Sequence, residues 1–190
     1  MAETISPFRI GATLVAILIS VSTLASETPP PAYQLAAYSQ GIPSEVLYAI
    51  TLHESGTRIR GRIIPWPWTL NVAGASFRFS NRSSACTALL LAINDVGAKR
   101  VDAGLGQINV GWNGHRFASP CEALDPYKNL SVTAEILLEQ YKVTQNWMSA
   151  AGRYHRPAGG KPAEKYKQYF AKQLARVRGD SAEGFLATNP

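Results

Sequence analysis

Apolar residues recur at helical spacing along most of the chain, and this pattern predicts a mainly helical protein. The predicted helices cover residues 32–39, 44–55, 84–94, 129–143, 146–154 and 162–177. Between residues 57 and 80 the pattern changes, because prolines and glycines are interspersed with β-favouring residues. There, Thr69–Val72 and Ser76–Phe79 flank the sequence Ala73-Gly74-Ala75 and predict a β-hairpin. We therefore expect an α+β fold, mainly α, with a small β-hairpin.

The helix predicted to begin at Ser44 carries a carboxylate near its end. Ser44 can cap the helix start, and Gly56 is a plausible stop. The expected apolar face consists of Val46, Leu47, Ile50 and Leu52. Glu54 then lies at the C-terminal end, where the helix dipole and apolar neighbours both disfavour its charge and raise its pKa. A general acid needs such a carboxyl near neutral pH, whereas the alternative is a solvated Glu at a frayed helix end.

Two other helices carry expectations about burial. The helix predicted over residues 84–94 begins after Asn81 or Ser83, either of which can cap it, and ends at Gly97. Its large apolar side chains are expected to be buried: Leu89, Leu90, Leu91 and Ile93. The last helix is expected to present a solvated basic face made of Lys165, Lys167, Lys172 and Arg176.

A glycine turn is predicted at residues 104–109, with the sequence GLGQIN. Two glycines permit a tight turn and a close approach of ligand to the backbone. Gln107 and Asn109 offer paired donors and acceptors that suit sugar hydroxyls and N-acetyl groups. The turn therefore indicates a polar binding site.

Four short patterns occur in a distinctive order along the chain. Glu54-Ser55 comes first, then Gly-Leu-x-Gln at 104–107, then Ala-x-x-Tyr-His at 151–155, and finally Tyr166. Over residues 32–177 this order resembles the soluble-lytic-transglycosylase domain family, whose lysozyme-like members cleave peptidoglycan. Residues 65–72, PWPWTLNV, look like an insertion of the small members that are encoded with conjugation or type IV secretion machinery.

The resemblance implies a lysozyme-like domain with its hairpin beside an active-site cleft. A typical glycosidase uses two carboxylates, whereas this family uses one. Glu54 would protonate the leaving GlcNAc oxygen and then act as a base on the C6 hydroxyl of MurNAc, which closes a 1,6-anhydro ring. No cofactor or metal is implied.

The resemblance also implies a set of substrate-binding residues: Ser55, Gln107, Asn109, Tyr154, His155 and Tyr166. Ser55 would bond near the acid or the substrate N-acetyl group, unless it is simply solvated at the helix end. Tyr154 is alternatively a core tyrosine, and Tyr166 a helix-surface residue. His155 stands where the family often has Asn. Gly106 replaces the commoner Met and is expected to widen the approach to ligand.

Two other functions remain open on the residues alone. A muramidase that uses water needs a second carboxylate, and Asp102 is the candidate, although Lys99 and Arg100 beside it indicate a surface loop instead. A non-catalytic wall-binding or scaffold component would need no acid at all. The aromatic residues Trp66, Trp68, Phe77 and Phe79 form either a wall for sugar rings or the hairpin's own small core, and the core is expected for at least two of them.

The N-terminal residues predict export. Arg9 precedes an apolar run ending at Leu24, and residues 23–25 offer the small side chains that a signal peptidase reads. We expect a signal peptide at 1–25, a linker at 26–31, the catalytic domain at 32–178 and a disordered tail at 179–190. An uncleaved membrane anchor is the alternative to periplasmic release.

The predicted periplasmic location and the net positive charge of the chain indicate which partners to expect. In an oxidising periplasm, Cys86 and Cys121 are expected to form a disulfide. The formal net charge of +6 implies an anionic partner. Peptidoglycan glycan strands, with their carboxylates, fit an exported protein better than nucleic acid. We expect a monomer, and the family resemblance implies secretion or pilus machinery proteins as candidate partners.

Overall fold

The computed structural model describes residues 26–180. The predicted signal peptide and residues 181–190 of the predicted tail lie outside the described residues. The α-helices of this part are α1 (Pro31–Gln40), α2 (Ser44–Ser55), α3 (Arg82–Val96), α4 (Pro126–Thr144), α5 (Trp147–His155) and α6 (Lys161–Arg178). Within residues 26–180, no helix combines the length and apolarity needed to cross a bilayer.

The strands form two small antiparallel sheets. They are β1 (Gly56–Ile59), β2 (Arg62–Pro65), β3 (Thr69–Val72), β4 (Ala75–Arg78), β5 (Val101–Ala103) and β6 (Ile108–Asn109). β1 pairs with β2, and the second sheet has the order β4-β3-β5-β6. The mainly helical α+β class is confirmed. The predicted hairpin is present as β3–β4, in which Val72 pairs with Ala75 across a two-residue turn.

The β1–β2 hairpin was not predicted, and it follows α2 without a loop. Gly56 makes this connection because a Cβ at that position would lie 2.1 Å from the carbonyl oxygen of Leu52. The chain therefore turns from helix to strand through a contact that another residue could not make. This close turn brings Glu54, two residues earlier, beside the second sheet.

Two apolar clusters form the core. The first is built from α1, α2, α4, α5 and α6, and the second joins α3 to the larger sheet. α2 is buried on all sides between Val46 and Leu52, as expected for a helix that crosses the middle of a helical layer. The predicted apolar face of α2 is thus confirmed, and the opposite face is buried as well.

The burial predicted for α3 is wrong at two positions. Leu89 is buried, but Leu90 is 49% exposed and Leu91 is 59% exposed. Consecutive residues of an α-helix point about 100° apart, so three adjacent leucines cannot all face one sheet. The cap at Asn81 is present, since its Oδ1 accepts a hydrogen bond from the amide of Ser84 at 2.9 Å.

Two other helix starts differ from prediction. Ser44 is the first helical residue rather than the cap, and Pro43 precedes it without a side-chain hydrogen bond. α4 begins at Pro126, because Asp125 Oδ1 accepts from the amides of Tyr127 and Lys128 at 3.1 and 3.0 Å. The predicted Asp-Pro turn is therefore a capped helix start.

The segment predicted as a linker is anchored to the domain. The Glu27 amide donates to the carbonyl of Val177 at 2.8 Å. The carboxylate of Glu27 accepts from Tyr48 at 2.8 Å and from Arg176 at 2.7 Å. Arg176 was predicted to belong to the solvated basic face of α6, but it is paired with Glu27 instead. The segment predicted as a linker is therefore held against α2 and α6 at Glu27, and α1 begins four residues later.

A disulfide joins Cys86 of α3 to Cys121, which lies in the short 3-10 helix Pro120–Leu124. The bonded residues are 35 positions apart in sequence, and the closed loop contains the glycine turn. We expect the double substitution Cys86→Ala/Cys121→Ala to lower the free energy of unfolding by about 3 kcal/mol, because the unfolded chain regains the freedom of that loop. Urea unfolding followed by circular dichroism measures the loss.

Reduction supplies the control for this substitution. A thiol reductant should bring the wild-type midpoint down to that of the double variant and leave the variant itself unchanged. Equal stability of the oxidised wild type and the variant would contradict a stabilising role for the cross-link.

Candidate functional site

A cleft of about 420 Å³ lies between the larger sheet, the glycine turn and the ends of α2 and α5. It is lined by Glu54, Asn71, Ser76, Asp102, Gln107, Ile108, Asn109, Asn113, Ile136, Tyr154 and His155. The structure therefore brings together five of the predicted site residues, which come from three separate parts of the chain. Asn71, Ser76, Asn113 and Ile136 were not predicted, because no local pattern distinguishes them from ordinary surface residues.

Glu54 stands at the end of α2 and faces the cleft. Its Oε1 accepts a hydrogen bond of 2.6 Å from the hydroxyl of Tyr166. The pKa of Glu54 is raised to about 7, chiefly by burial and also by the charge of nearby Asp102, while the Tyr166 hydrogen bond acts in the opposite direction. A carboxyl with this pKa exists in both protonation states near neutrality, so it can give and take a proton.

Tyr166 is buried in α6 with only 3% of its surface exposed. The helix-surface alternative for this residue is therefore wrong. Burial, followed by the charge of Glu54, raises the pKa of Tyr166 well above its ordinary value. Tyr166 thus stays protonated and serves as a permanent donor to the Glu54 carboxylate.

Tyr154 is hydrogen-bonded to the glycine turn. Its hydroxyl donates to the carbonyl of Gly106 at 2.6 Å. A Cβ on Gly106 would lie 2.0 Å from Thr133 Oγ1 and 2.8 Å from the Tyr154 hydroxyl. The space beside Gly106 is therefore filled by Thr133 and Tyr154 and does not open toward a ligand. The prediction that Gly106 widens the approach to ligand is wrong.

Asn129 holds the same turn and was missed in the sequence. Its Nδ2 donates to the carbonyls of Ala103 and Ala123 at 3.1 and 2.8 Å, and its Oδ1 accepts from the Gly106 amide at 2.9 Å. It is fully buried. Gly104 has φ +81°, and a Cβ there would lie 2.2 Å from Asn129 Nδ2. The backbone and this amide therefore require glycine at position 104.

Ser55 departs from its predicted role. It is fully buried, and its hydroxyl donates to the carbonyls of Leu105 at 2.8 Å and Thr51 at 3.1 Å. A side chain without exposed surface cannot touch a ligand, so direct substrate contact by Ser55 is ruled out, as is solvation at the helix end. Its contact with Leu105 instead fixes the distance between the end of α2 and the glycine turn.

The amides of Gln107 and Asn109 both face the cleft but have structural partners. Gln107 Nε2 donates to the carbonyls of Gly104 and Thr69 at 2.9 and 3.1 Å. Asn109 Nδ2 donates to Asp102 Oδ1 at 2.8 Å. Both residues therefore shape the wall of the cleft, and their direct contact with a substrate stays a prediction.

Asp102 is a strand residue in β5 that lines the cleft, so the surface-loop alternative is wrong. Burial raises its pKa, while the hydrogen bond from Asn109 and the charge of His155 act in the opposite direction. The two carboxyls of the cleft thus lie in different environments. Glu54 accepts from a tyrosine, whereas Asp102 accepts from an amide.

Aromatic rings surround Tyr166. His155 stacks on it with centroids 4.7 Å apart, and His53 meets it edge-on at 4.8 Å. His53 in turn stacks on Tyr169 at 5.3 Å. Burial lowers the pKa of both histidines, which favours their neutral forms. His53, which had no predicted role, therefore belongs to the packing that orients the donor to Glu54.

The four aromatic residues around the β3–β4 hairpin do not line the cleft. Trp66 Nε1 donates to the carbonyl of Phe79 at 2.8 Å, and Trp68 meets Trp66 edge-on. Trp68 and Phe79 pack against the second core cluster, whereas Phe77 is exposed. Packing within the hairpin and its sheet thus accounts for three of them.

We expect Tyr166→Phe to raise the pKa of Glu54 further, because it removes the hydrogen bond that stabilises the carboxylate. The ring remains, so its stacking on His155 is preserved. An NMR titration of the side-chain carboxyl carbon of Glu54 measures the change. Tyr169→Phe is the control, since its hydroxyl is not the donor to Glu54. An unchanged or lower pKa in Tyr166→Phe would contradict the assigned hydrogen bond.

Within residues 26–180, no cluster of three or more His, Cys, Asp or Glu side chains is arranged to hold a metal ion. Comparison of the chain with protein-family models, with curated proteins and with solved structures finds no match.

Proposed function

We propose that this protein is a peptidoglycan lytic transglycosylase that uses Glu54 as its single acid and base. The observation that carries the proposal is the state of Glu54. It faces a cleft large enough for sugar rings, accepts a hydrogen bond from a buried tyrosine, and has a pKa raised to about 7 by burial. The order of motifs along the chain supports the same assignment.

The proposed reaction needs two proton transfers, both at Glu54. Protonated Glu54 gives its proton to the bridging oxygen, and the bond between that oxygen and the anomeric carbon of MurNAc breaks. The C6 hydroxyl oxygen of MurNAc then bonds to the anomeric carbon, and the Glu54 carboxylate takes the proton of that hydroxyl. The products are two shorter glycan strands, one of which ends in 1,6-anhydroMurNAc. Glu54 is protonated again. Tyr166 would hold the carboxyl in position throughout.

A water-using muramidase is the second candidate, and one observation favours it. Asp102 lines the same cleft as Glu54, and its charge contributes to the raised pKa of Glu54. A glycosidase with two carboxylates could use Asp102 to stabilise the anomeric carbon or to activate water. Either role requires ionised Asp102. Burial raises the pKa of Asp102, whereas the hydrogen bond from Asn109 favours its ionised form.

The proposed setting is the periplasm, where local cleavage would open the wall for a secretion or conjugation apparatus. This part of the proposal rests on the resemblance and on the predicted export signal. A non-catalytic scaffold would have no use for a carboxyl with a pKa near neutrality.

Mass spectrometry of digested peptidoglycan tests the proposal. Purified sacculi are incubated with the exported protein, with Glu54→Gln and with Asp102→Asn. Anhydro-muropeptides from the wild type and from Asp102→Asn, but not from Glu54→Gln, are expected. Hydrated reducing ends that disappear in Asp102→Asn would favour the muramidase. Binding to sacculi without release of any product would favour the scaffold.

A further inference from the structure

We propose that Trp112 and Lys99 form a saccharide subsite at the rim of the cleft, and that it takes an aminosugar bearing a carboxylate. This inference rests on the proposed function and adds to it the chemistry of the sugar bound beyond the catalytic centre. Neither residue was singled out as a site by the sequence.

Trp112 presents an open aromatic surface. Its side chain is 64% exposed, although large aromatic side chains usually bury most of their area. The ammonium of Lys99 lies 4.0 Å from the centroid of its ring, which is within cation–π range. The ammonium thus lies over one face of the indole, while most of the Trp112 side chain stays exposed.

The pair is built rigidly by Asn109. Its Oδ1 accepts from the amides of Gly111 and Trp112, both at 3.1 Å, and its Nδ2 also donates to the carbonyl of Lys99 at 3.0 Å. A Cβ on Gly111 would lie 2.5 Å from the Lys99 amide nitrogen, so the two segments touch through their backbones. One asparagine therefore fixes the backbones of both residues relative to each other before any ligand arrives.

The pair is continuous with the cleft that contains Glu54. Asn109 and Asn113, on either side of Trp112 in sequence, both line that cleft. Asn109 also bonds to Asp102 on the cleft wall. A glycan strand that occupies the cleft and leaves it at this end would meet Trp112 next.

The chemistry of the pair matches one kind of sugar. The apolar face of a pyranose ring packs on an aromatic ring, and an exposed ammonium attracts a carboxylate. A neutral amino sugar would use only the indole. A sugar with a carboxylate substituent, such as the lactyl group of a muramyl residue, would use both.

Binding measurements on the inactive Glu54→Gln protein separate these contributions. The probes are a tetrasaccharide of alternating GlcNAc and MurNAc with free lactyl carboxylates, and a GlcNAc tetramer without carboxylates. Isothermal titration calorimetry gives the dissociation constants. Adding Trp112→Ala should weaken binding of both probes about tenfold, whereas Trp112→Phe should retain most of the affinity.

Lys99→Met should weaken only the carboxylated probe, by about threefold at low salt, and the difference should shrink as salt is added. Tyr38→Ala is the matched control, since Tyr38 is an exposed aromatic residue of α1 at 85% exposure. It should change neither affinity.

Two results would overturn the inference. If Trp112→Ala binds both probes as tightly as its parent while the wild type releases anhydro-muropeptides, the subsite is wrong and the proposed function stands. If the Glu54→Gln parent binds neither probe and the wild type releases no product, the subsite and the proposed function fall together.

Discussion

Glu54→Gln is expected to reduce release of anhydro-muropeptides about 10³-fold, because a glutamine can neither give nor take the proton. The same substitution is expected to stabilise the fold above neutral pH. Glutamine keeps an oxygen that can accept the Tyr166 hydrogen bond. A variant that is inactive and more stable excludes unfolding as the cause of its inactivity.

The sign of the stability effect follows from the pKa of Glu54. Its ordinary value is 4.5 and its folded value is about 7. Between these values the folded protein binds more protons than the unfolded chain, so the free energy of unfolding falls as pH rises from 4.5 to 7. At pH 8 the wild type bears the full cost of a buried carboxylate, up to about 3 kcal/mol, which Glu54→Gln avoids.

Thermal unfolding at a series of pH values measures this difference. The stability advantage of Glu54→Gln should be largest at pH 8 and should disappear below pH 4.5. Glu164→Gln is the control, because Glu164 is an exposed carboxylate of α6 paired only with Lys167 among the ion pairs of residues 26–180. A Glu54→Gln protein that is equally stable or less stable than the wild type at pH 8 would contradict the raised pKa.

Asn129→Ala is expected to lower the free energy of unfolding by about 4 kcal/mol. It would leave the Gly106 amide and the carbonyls of Ala103 and Ala123 without the partner they have in the wild type. Unsatisfied buried polar groups cost about 1–3 kcal/mol each. Urea unfolding gives the global loss.

Hydrogen exchange locates the effect of Asn129→Ala. The Gly106 amide should exchange faster even relative to the lowered global stability, because its acceptor is gone. Asn94→Ala is the control, since Asn94 is exposed on α3 and its side chain donates to the neighbouring Asp95. We expect that variant to change stability by less than about 0.5 kcal/mol. Equal losses in the two variants would contradict the role assigned to Asn129.

Elements with local signals were predictable from the sequence. The α3 cap at Asn81 and the stop at Gly97 are both present. The helix predicted from Asn146 begins at Trp147, with Asn146 as its cap. The start of α4 was missed because Asp125-Pro126 fits a turn and a helix start equally well, and only the residues that follow decide between them.

Contacts between distant segments were not predictable from local patterns. Tyr166 and Glu54 are 112 residues apart, and nothing near either one indicates that their side chains meet. In the sequence, Asn129 is indistinguishable from an ordinary polar residue of a helix. Its role depends on the packing of the glycine turn against it. The predicted motifs therefore identified residues that meet at the site, whereas their individual roles depended on the packing of α6 and α4 against α2 and the turn.

The anchoring of Glu27 bears on the order in which an exported chain would mature. A cut after Ala25, as the sequence predicts, lies only two residues before a residue bonded to Val177, Tyr48 and Arg176. A protease needs extended chain on both sides of the bond it cleaves, so processing is expected to precede docking of Glu27 on α6.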